Sequence, residues 1–267
     1  MQANPVVITR PLAQAKMLAA RVADIGREVE VLPLLEIHPL LDIAPLVDGL
    51  SDLQRYAMVA FVSPNAIDAA MAHVKQWPAG VKLAIVGEGS RLALAAHGIT
   101  SANATIVSPQ DAAHSDSEHL LKALDLESLR GQRVLLVRGD SGRELLADSL
   151  RAAGIVVTTL SAYRRTVPLL TPELGATLRR LLAKEHDWIV TSSEALRGLL
   201  RLLAQLDAES GVTEGAVKGA AVVKLQQQHL IVPHARIAQT ATELGCTRLT
   251  LTGSGDELVL AALQSAP

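Results

Sequence analysis

Short apolar runs alternate along the chain with longer stretches whose apolar residues recur at helical spacing. Because successive residues of the short runs are apolar, the runs predict strands of parallel sheets that are covered on both faces. Three of the helical stretches end at glycine, at Gly26, Gly154 and Gly245, and glycine supplies the left-handed cap that closes a helix. The pattern predicts an α/β fold with ten strands: Val6–Thr9, Val29–Leu32, Met58–Val62, Leu83–Val86, Thr105–Val107, Val134–Val137, Ile155–Leu160, Trp188–Thr191, Leu230–Val232 and Arg248–Leu251.

A weak internal repeat has a period of about half the chain. Similar segments recur at separations of 128 to 139 residues, and in each pair the two members hold the same place relative to a predicted strand or helix. The repeat predicts two similar domains. The paired segments are Val29–Leu32 with Val157–Leu160, Ser63–Ile67 with Ser192–Leu196, and Ser117–Leu124 with Gly255–Leu263.

Composition narrows the functional classes. The 267 residues are 49% hydrophobic, which is enough for a sizeable core, while the net charge of −2 and the 2% aromatic content argue against a nucleic-acid binder. The only cysteine, Cys246, excludes internal disulfides and thiolate zinc clusters and fits a reducing compartment. We find no signal-peptide pattern and no apolar stretch of membrane-spanning length. We therefore expect a cytoplasmic protein that binds neither membrane nor nucleic acid.

Candidate chemistry lies in the loops that follow the predicted strands, where open α/β sheets bind ligands. These loops are rich in Ser, Thr, Arg and Gly, and they lack paired carboxylates, Cys–His pairs and histidines at metal-ligand spacing. Hydroxyl residues at helix starts leave N–H groups for an anion, and guanidinium groups bind carboxylates or phosphates. The loops therefore predict a site for a polyanion that needs no cofactor, and residue chemistry alone leaves the reaction open.

Each of these features also has a structural interpretation. Ser63, Ser192 and Ser193 serve equally well as helix N-caps. Arg138 and Arg143, which bracket a Gly-rich turn, can form a solvated charged face. A buried Tyr163 can simply pack and hydrogen-bond. The segment Gly87–Leu92 begins like a dinucleotide-binding fingerprint, but Leu92 occupies the third glycine position.

At these same loops the sequence resembles the uroporphyrinogen-III synthase family. The resembling segments follow the family's order and cover nearly the whole chain. They are Val7–Pro11, Leu32–Leu35, Phe61–Ala66, Ile85–Gly87, Ser117–Glu118 with Leu120–Leu121, Leu136–Gly139 with Gly142–Glu144, Tyr163–Arg164, Trp188–Ser193, Val232–His234 with Arg236–Ala238, and Asp256–Glu257.

The resemblance implies two similar flavodoxin-like α/β domains with parallel sheets, crossed connectivity and a two-stranded linker. Residues 1–35 and 168–267 would form the first, discontinuous domain, and residues 42–160 the second. Residues 36–41 and 161–167 would be the linker strands, and the substrate would bind in the cleft between the domains. The segment Gly219–Gln228 is expected to be an expanded connection.

The resemblance further implies the reaction. Hydroxymethylbilane, a linear tetrapyrrole with eight carboxylates, would lose its hydroxyl as water and close to uroporphyrinogen III, with ring D inverted through a spiro intermediate. Ring closure also occurs without catalysis to the unrotated isomer, so the protein's task is mainly to hold one folded substrate geometry. The implied enzyme is a monomeric lyase without cofactor or metal, which receives its substrate from the upstream deaminase.

Roles carry over residue by residue on the same resemblance. Tyr163 would donate a proton to the leaving hydroxyl, or order water near it, and Ser90 would donate a hydrogen bond to a substrate carboxylate. The remaining positions would supply helix-start N–H groups, at Ser63, Asn65, Ser192 and Ser193, and carboxylate-binding guanidinium groups, at Arg10, Arg138, Arg143 and Arg236.

Two alternatives compete with this hypothesis. A non-enzymatic two-domain binding module for an anionic small molecule would bind ligand without turnover, and loss of Tyr163 would leave its affinity unchanged. A transferase with a nucleotide donor would bind nucleotide beside Gly87, and thermal stabilisation by nucleotide rather than by uroporphyrinogen would reveal it.

Overall fold

The computed structural model describes residues 3–111, 116–210 and 219–265. The strands in this part of the chain are β1 (Val6–Ile8), β2 (Val29–Val31), β3 (Glu36–His38), β4 (Met58–Phe61), β5 (Lys82–Ile85), β6 (Ile106–Val107), β7 (Arg133–Gly139), β8 (Val156–Thr166), β9 (Asp187–Ile189), β10 (His229–Val232) and β11 (Arg248–Leu251). The helices are α1 (Leu12–Asp24), α2 (Ala44–Ser51), α3 (Pro64–Met71), α4 (Glu88–Ala96), α5 (Ser117–Ala123), α6 (Leu126–Leu129), α7 (Leu145–Ala152), α8 (Pro172–Leu181), α9 (Ser193–Ser210), α10 (Ala220–Gln226), α11 (Ala235–Glu243) and α12 (Asp256–Ser265).

The ten predicted strands are all present, nine of them with ends that differ from the prediction by at most two residues. The exception is β8, which continues without a break from Val156 to Thr166, although Leu160 was expected to end one strand and Ser161 to begin another. The strand stays intact because β7 pairs with it in parallel as far as Tyr163. The other predicted linker strand is short, since β3 ends at His38.

The segment expected to be an expanded connection, Gly219–Gln228, contains helix α10, which lies between α9 and β10. The Asp207 carboxylate accepts hydrogen bonds from the Ala221 and Val222 backbone N–H groups, at 2.9 and 3.3 Å, and so holds the first turn. Leu225 is fully buried in the core and anchors the other end. A capped first turn and a buried anchor stabilise a helix too short to form alone.

The chain divides into two compact units, residues 1–36 with 166–267 and residues 37–165. The first unit contains a five-stranded sheet in the order β2-β1-β9-β10-β11, in which every adjacent pair is parallel. The second unit carries the sheet β3-β8-β7-β4-β5-β6, with parallel pairs from β8 to β6.

The two sheets share one topology with a permuted chain order. In the first unit the strands follow the flavodoxin-like order 2-1-3-4-5. In the second, the order β8-β7-β4-β5-β6 is the same arrangement, but the two strands equivalent to β2 and β1 come last in the chain instead of first. The predicted fold class, two similar α/β domains with parallel sheets and crossed connectivity, is confirmed.

Each sheet is covered on both faces, as the continuous apolar runs predicted. In β1, Val7 packs with Trp188 in one core cluster, whereas Val6 and Ile8 pack in another on the opposite face. In β4, alternate residues divide in the same way between two clusters of the second unit. Since the side chains of a strand alternate between faces, both faces of a sheet must be buried to produce this division.

The three predicted helix-ending glycines all lie in the left-handed region, with φ of +79° at Gly26, +80° at Gly154 and +84° at Gly245. They follow the ends of α1, α7 and α11 by two residues. The helix boundaries inferred from these glycines are therefore confirmed.

Candidate active site

Several of the predicted binding residues lie where the strand order of each sheet reverses, which is the usual ligand crevice of open α/β folds. In the first unit this point lies between β1 and β9, which are followed by Arg10 and by Ser192 and Ser193. In the second unit it lies between β7 and β4, and Arg138 and Ser63 stand at the ends of these strands.

Arg10 and Arg138 hold equivalent positions in the two units. In β1, Val6 is in register with the first residue of β9, and in β7, Val134 is in register with the first residue of β4. Arg10 and Arg138 each lie four residues beyond these positions. Each guanidinium group contacts a carboxylate at 2.5 Å, of Asp256 for Arg10 and of Glu144 for Arg138. The side chain of Arg138 is only 7% exposed, whereas that of Glu144 is 55% exposed. Both switch points therefore present an arginine that already holds a carboxylate.

Tyr163 reaches across β7 to the end of β4. Its side chain is buried, and its hydroxyl lies 3.1 Å from the Ser63 hydroxyl. The ring crosses β7 at Gly139, where a Cβ atom would lie 3.1 Å from Cζ of the ring and 3.3 Å from its hydroxyl. The Asp140 backbone N–H also donates to the Tyr163 carbonyl at 2.9 Å. The missing side chain at Gly139 thus makes room for the ring and allows the Tyr163–Ser63 contact.

Ser63 is the N-cap of α3, because its hydroxyl oxygen accepts a hydrogen bond from the Ala66 N–H at 3.2 Å. The cap and the contact with Tyr163 use the same oxygen, which can accept one bond while its O–H makes another. Asn65 lies half-buried in the first turn of this helix. Ser63 can therefore act as a helix N-cap and contact Tyr163 at the same time.

The start of α4 lies beside the start of α3, since a Cβ atom at Gly89 would lie 3.5 Å from the Pro64 ring. Ser90 is 1% exposed, and its hydroxyl has no hydrogen-bond partner within the described residues. In a dinucleotide-binding fingerprint the third glycine allows the helix to pack closely on the sheet. Leu92 occupies that position here and is 58% exposed, so it does not provide this packing. The segment has the helix start of a nucleotide site without its packing.

In the first unit, Ser193 is the centre of a buried polar cluster. Ser192 caps α9 by accepting from the Ala195 N–H at 3.3 Å. The Ser193 hydroxyl is 3.1 Å from that of Thr240 and accepts from Arg236 Nη1 at 3.3 Å. Arg236 itself is exposed, so its guanidinium group bridges this cluster and the surface.

Arg143 does not join Arg138, although the two bracket the same turn. Its guanidinium group binds the Glu118 carboxylate on α5 through two contacts, at 2.5 and 3.2 Å. The hydrogen bond from Arg143 holds the pKa of Glu118 below its ordinary value, against the opposing effect of burial. The two arginines therefore belong to separate carboxylate pairs.

Several residues of these clusters were not among the sequence candidates. Gly139 and Thr240 have no distinctive spacing, and only the fold brings them to Tyr163 and Ser193. The acidic partners Asp256 and Glu144 stand at helix starts, where negative charge is favourable, so their positions along the chain gave a signal.

We also searched residues 3–111, 116–210 and 219–265 for a metal site, a reactive thiol and a membrane-spanning helix. No group of three or more histidine, cysteine or acidic side chains there could hold a metal ion. Burial raises the pKa of the Cys246 thiol to about 11, which keeps it out of the reactive thiolate form at neutral pH. A helix of sufficient length and apolarity to span a membrane is also absent from this part of the chain.

Comparison of the sequence with known proteins identifies one family. A family model described as uroporphyrinogen-III synthase HemD matches residues 16–249. The uroporphyrinogen-III synthase of Escherichia coli (strain K12) is 29% identical over 265 residues, which cover 97% of this chain and 99% of that protein.

Two crystal structures share the fold. A mutant uroporphyrinogen III synthase from the extremely thermophilic bacterium Thermus thermophilus aligns with a TM-score of 0.58 at 16% identity, over 99% of this chain and 100% of that one. The uroporphyrinogen-III synthetase of Helicobacter pylori 26695 aligns with the same TM-score at 14% identity, over 98% of this chain and 100% of that one.

Proposed function

The chain belongs to the uroporphyrinogen-III synthase family, and from this premise we propose that Tyr163 is its proton donor. The enzyme is a lyase of tetrapyrrole biosynthesis that cyclises hydroxymethylbilane to uroporphyrinogen III with loss of water. Family membership sets aside the non-enzymatic binding module and the nucleotide-dependent transferase. The observation that supports the assignment of Tyr163 is its contact with Ser63 at the topological switch point of the second unit.

The hydrogen bonds of Ser63 suit this role. With its oxygen accepting from the Ala66 N–H, the Ser63 O–H is able to donate to the Tyr163 oxygen. The Tyr163 O–H is then directed to the hydroxyl that leaves ring A. When that C–O bond breaks, the Tyr163 proton passes to the departing oxygen to form water, and the Ser63 hydrogen bond stabilises the resulting phenolate.

In each unit, we assign arginines to the binding of carboxylates. Arg10 and Arg138 stand at the two switch points, and each already holds a carboxylate there, which is support for this role. Arg143 and Arg236 are exposed and extend these binding surfaces. Guanidinium groups bind carboxylates with two parallel hydrogen bonds, so a substrate with eight carboxylates is held in one conformation by several such contacts.

Helix starts supply further donors. Ser63 and Asn65 flank Pro64 at the start of α3, where Asn65 offers a backbone N–H, and Ser192 and Ser193 stand at the start of α9. These N–H groups carry partial positive charge and suit carboxylates. Ser90 contributes the hydroxyl at α4 that has no partner within the described residues. We assign Asn65, Ser90, Ser192 and Ser193 to substrate binding, and Ser63 both to substrate binding and to support of the Tyr163 hydroxyl.

Isomer analysis tests the proton donor. Hydroxymethylbilane is generated in situ, and after reaction the products are oxidised and the uroporphyrin isomers are separated. We expect Tyr163→Phe to lower the rate of type III formation about 100-fold, the loss typical of a removed general acid. Unchanged kcat in Tyr163→Phe would reject the assignment, and a purely type I product from the unmodified chain would reject the activity itself.

The second tyrosine is a matched control. Tyr56 is also buried, but its hydroxyl has no hydrogen-bond partner within the described residues. Tyr56→Phe removes the same atom from the core of the same unit, so we expect unchanged kcat and unchanged or slightly higher stability. A fall in kcat equal to that of Tyr163→Phe would mean that loss of packing, and not loss of the proton donor, explains both.

We also propose that the enzyme acts as a cytoplasmic monomer and takes the bilane directly from the deaminase that makes it. Direct transfer is favoured because the free bilane closes to the unrotated isomer without catalysis. The single cysteine suits a reducing compartment. Sedimentation of the chain should give one species of 28.2 kDa, and a heavier species should appear when the deaminase is added. A self-associated chain, or no heavier species with the deaminase, would contradict the respective part.

A further inference from the structure

A cavity of about 530 Å³ lies along α9 in the first unit, and none of the residues that line it belongs to the proposed substrate site. Its volume falls within the range of cavities that bind small molecules, roughly 300–1,000 Å³. All but one of the lining residues recur at helical spacing on α9, which places them on one face of that helix. The lining residues are Glu194, Arg197, Leu200, Arg201, Ala204 and Leu244.

The apolar part of the lining is a fixed surface. Leu200 and Leu244 are half-buried and pack against the core of the first unit, so their positions are held from below. Ala204 is exposed, and its short side chain leaves room above this surface. Since contact with apolar surface is favourable for an apolar group in water, the cavity suits a ligand with an apolar body.

The charged part of the lining favours an anion. Arg197 and Arg201 are both exposed and lie one turn apart on α9. Within the described residues, Arg201 makes no hydrogen bond or ion pair. Nη2 of Arg197 lies 3.5 Å from the Thr240 hydroxyl oxygen, a long contact that a ligand can replace at little cost. With Glu194 included, the lining retains one net positive charge.

We propose that this cavity binds a small amphipathic carboxylate. Its carboxylate would bind Arg197 and Arg201, because two guanidinium groups one helical turn apart can each donate to one oxygen of the same carboxylate. Its apolar body would lie on Leu200, Ala204 and Leu244. The site goes beyond the proposed function, since no step of the cyclisation involves any of these residues.

The cavity adjoins the Ser193 cluster without sharing it. The Thr240 hydroxyl donates to the Ser193 oxygen at 3.1 Å, so Thr240 stands between Ser193 and Arg197. A ligand in the cavity can bind Arg197 while the hydrogen bond between Thr240 and Ser193 remains in place. We therefore expect the cavity and the substrate site to be occupied independently.

Isothermal titration calorimetry with decanoate tests the site, with acetate and decanol as controls. Decanoate has both parts of the expected ligand, whereas acetate lacks the apolar body and decanol lacks the charge. We expect one decanoate to bind per chain, about tenfold more tightly than either control. Equal affinities for decanoate and decanol would mean that the arginines do not select a carboxylate, and would overturn the site.

Variants of exposed residues locate the bound decanoate. Arg201→Gln should weaken binding about tenfold, as for loss of a charge-assisted hydrogen bond at the surface. Ala204→Glu should weaken it further, because it places a competing carboxylate one turn from Arg201 and narrows the cavity. Unchanged decanoate binding in both variants would overturn the site.

A second arginine of the same unit provides the matched control. Arg180 lies on α8, where its guanidinium group binds Glu30 at 2.6 Å and does not line the cavity. Arg180→Gln removes the same charge as Arg201→Gln and should leave the affinity for decanoate unchanged. An equal loss in the two variants would attribute binding to net charge and overturn the site.

Uroporphyrinogen III separates this cavity from the substrate site. Decanoate titrated into protein saturated with uroporphyrinogen III should bind with an affinity that differs by less than about twofold, as expected for sites without coupling. Loss of decanoate binding would place the probe in the substrate site and overturn a separate site. Because the decanoate titrations need no turnover, failure of the Tyr163 assignment would leave their outcome unchanged.

Discussion

The Tyr163 ring crosses β7 at Gly139, where any residue other than glycine would place a side chain against the ring. Gly139 therefore determines where the ring can lie. A methyl group there would lie 3.1 Å from Cζ, closer than ordinary van der Waals contact. We expect Gly139→Ala to displace the ring, break the contact with Ser63 and lower kcat about tenfold, since small misplacements of a catalytic group have large effects on rate. Isomer-resolved kinetics measures this loss.

A double-mutant cycle shows whether the loss acts through Tyr163. If it does, Gly139→Ala in the Tyr163→Phe background should cause little further loss, because the displaced hydroxyl is already absent. Equal losses in both backgrounds would mean that the methyl group disturbs the β7 edge and not the proton donor.

At this scale, residue types could be predicted from the sequence but contacts could not. Ser63 and Tyr163 were both recognised as candidates, yet their contact depends on the gap at Gly139 and on the register shift of β7 between Arg138 and Gly139. Such a contact leaves no periodic signal. The partner of Arg143, Glu118, likewise lies 25 residues away and depends on how α5 packs.

Helix α9 approaches the end of β8 at Gly198, which lies against Val167. A Cβ atom at Gly198 would lie 2.6 Å from Cγ2 of Val167, a distance that cannot be tolerated without movement. Alanine favours a helix over glycine by about 1 kcal/mol, but overpacking typically costs about 1–3 kcal/mol. We therefore expect Gly198→Ala to lower the free energy of unfolding, as measured by urea denaturation.

Removing the opposing side chain should reverse the effect. In a Val167→Ala background the added methyl group fills the space that was vacated, so Gly198→Ala should be neutral or stabilising there. A loss of the same size in both backgrounds would attribute the effect to the helix itself rather than to its packing on Val167.

Elements were predicted best where one physical cause dominates. Strands β1 and β4 are fully buried, so their apolar runs are unbroken, and α1, α7 and α11 end where glycine permits the left-handed conformation. Prediction failed where tertiary contacts decide. Pairing with β7 carries β8 past Leu160, and the Asp207 carboxylate together with buried Leu225 forms α10 from a segment with no clear helical signal.

For the whole molecule, the 128-residue repeat reflects a real equivalence of the two units. Val29 and Val157 lie on equivalent strands, β2 and β8, and the same spacing relates Arg10 to Arg138. The repeat indicated duplication from the sequence alone. It did not indicate the permuted chain order, since the order of strands in a sheet depends on pairings between distant segments.

A polar network also holds the first unit together at the amino-terminal ends of β9 and β10, whereas the candidate site lies at the carboxyl-terminal ends of the strands. There Asp187, at the start of β9, binds Arg27 at 2.5 Å and the His229 ring at 2.8 Å. The other ring nitrogen of His229 contacts the Thr250 hydroxyl at 2.8 Å, and Arg27 also donates to the Asn4 and Leu263 carbonyls. This buried network connects both ends of the unit's chain to three strands.

The network makes the stability of the first unit depend on pH. Burial acts to raise the pKa of Asp187, but hydrogen bonds from His229 and Arg27 outweigh burial and hold it below its ordinary value of 3.8. A carboxyl group with a lowered pKa stabilises the folded state above its unfolded pKa, and this contribution is lost as the pH falls through the folded pKa. Asp187 should therefore stabilise the protein fully at neutral pH and progressively less in acid below about pH 4.

Asp187→Asn tests this dependence. Since it leaves the Arg27 charge buried without its partner, we expect a loss of about 3–5 kcal/mol in the free energy of unfolding at pH 7. Urea denaturation of this unit can be followed by Trp188 fluorescence in a Trp77→Phe background, because Trp77 belongs to the other unit. The difference between variant and parent should shrink as the pH falls below 4, whereas an equal difference at pH 7 and pH 3 would contradict the assigned role. Glu185→Gln, which breaks only an exposed ion pair with Arg248, should cost less than about 1 kcal/mol at either pH.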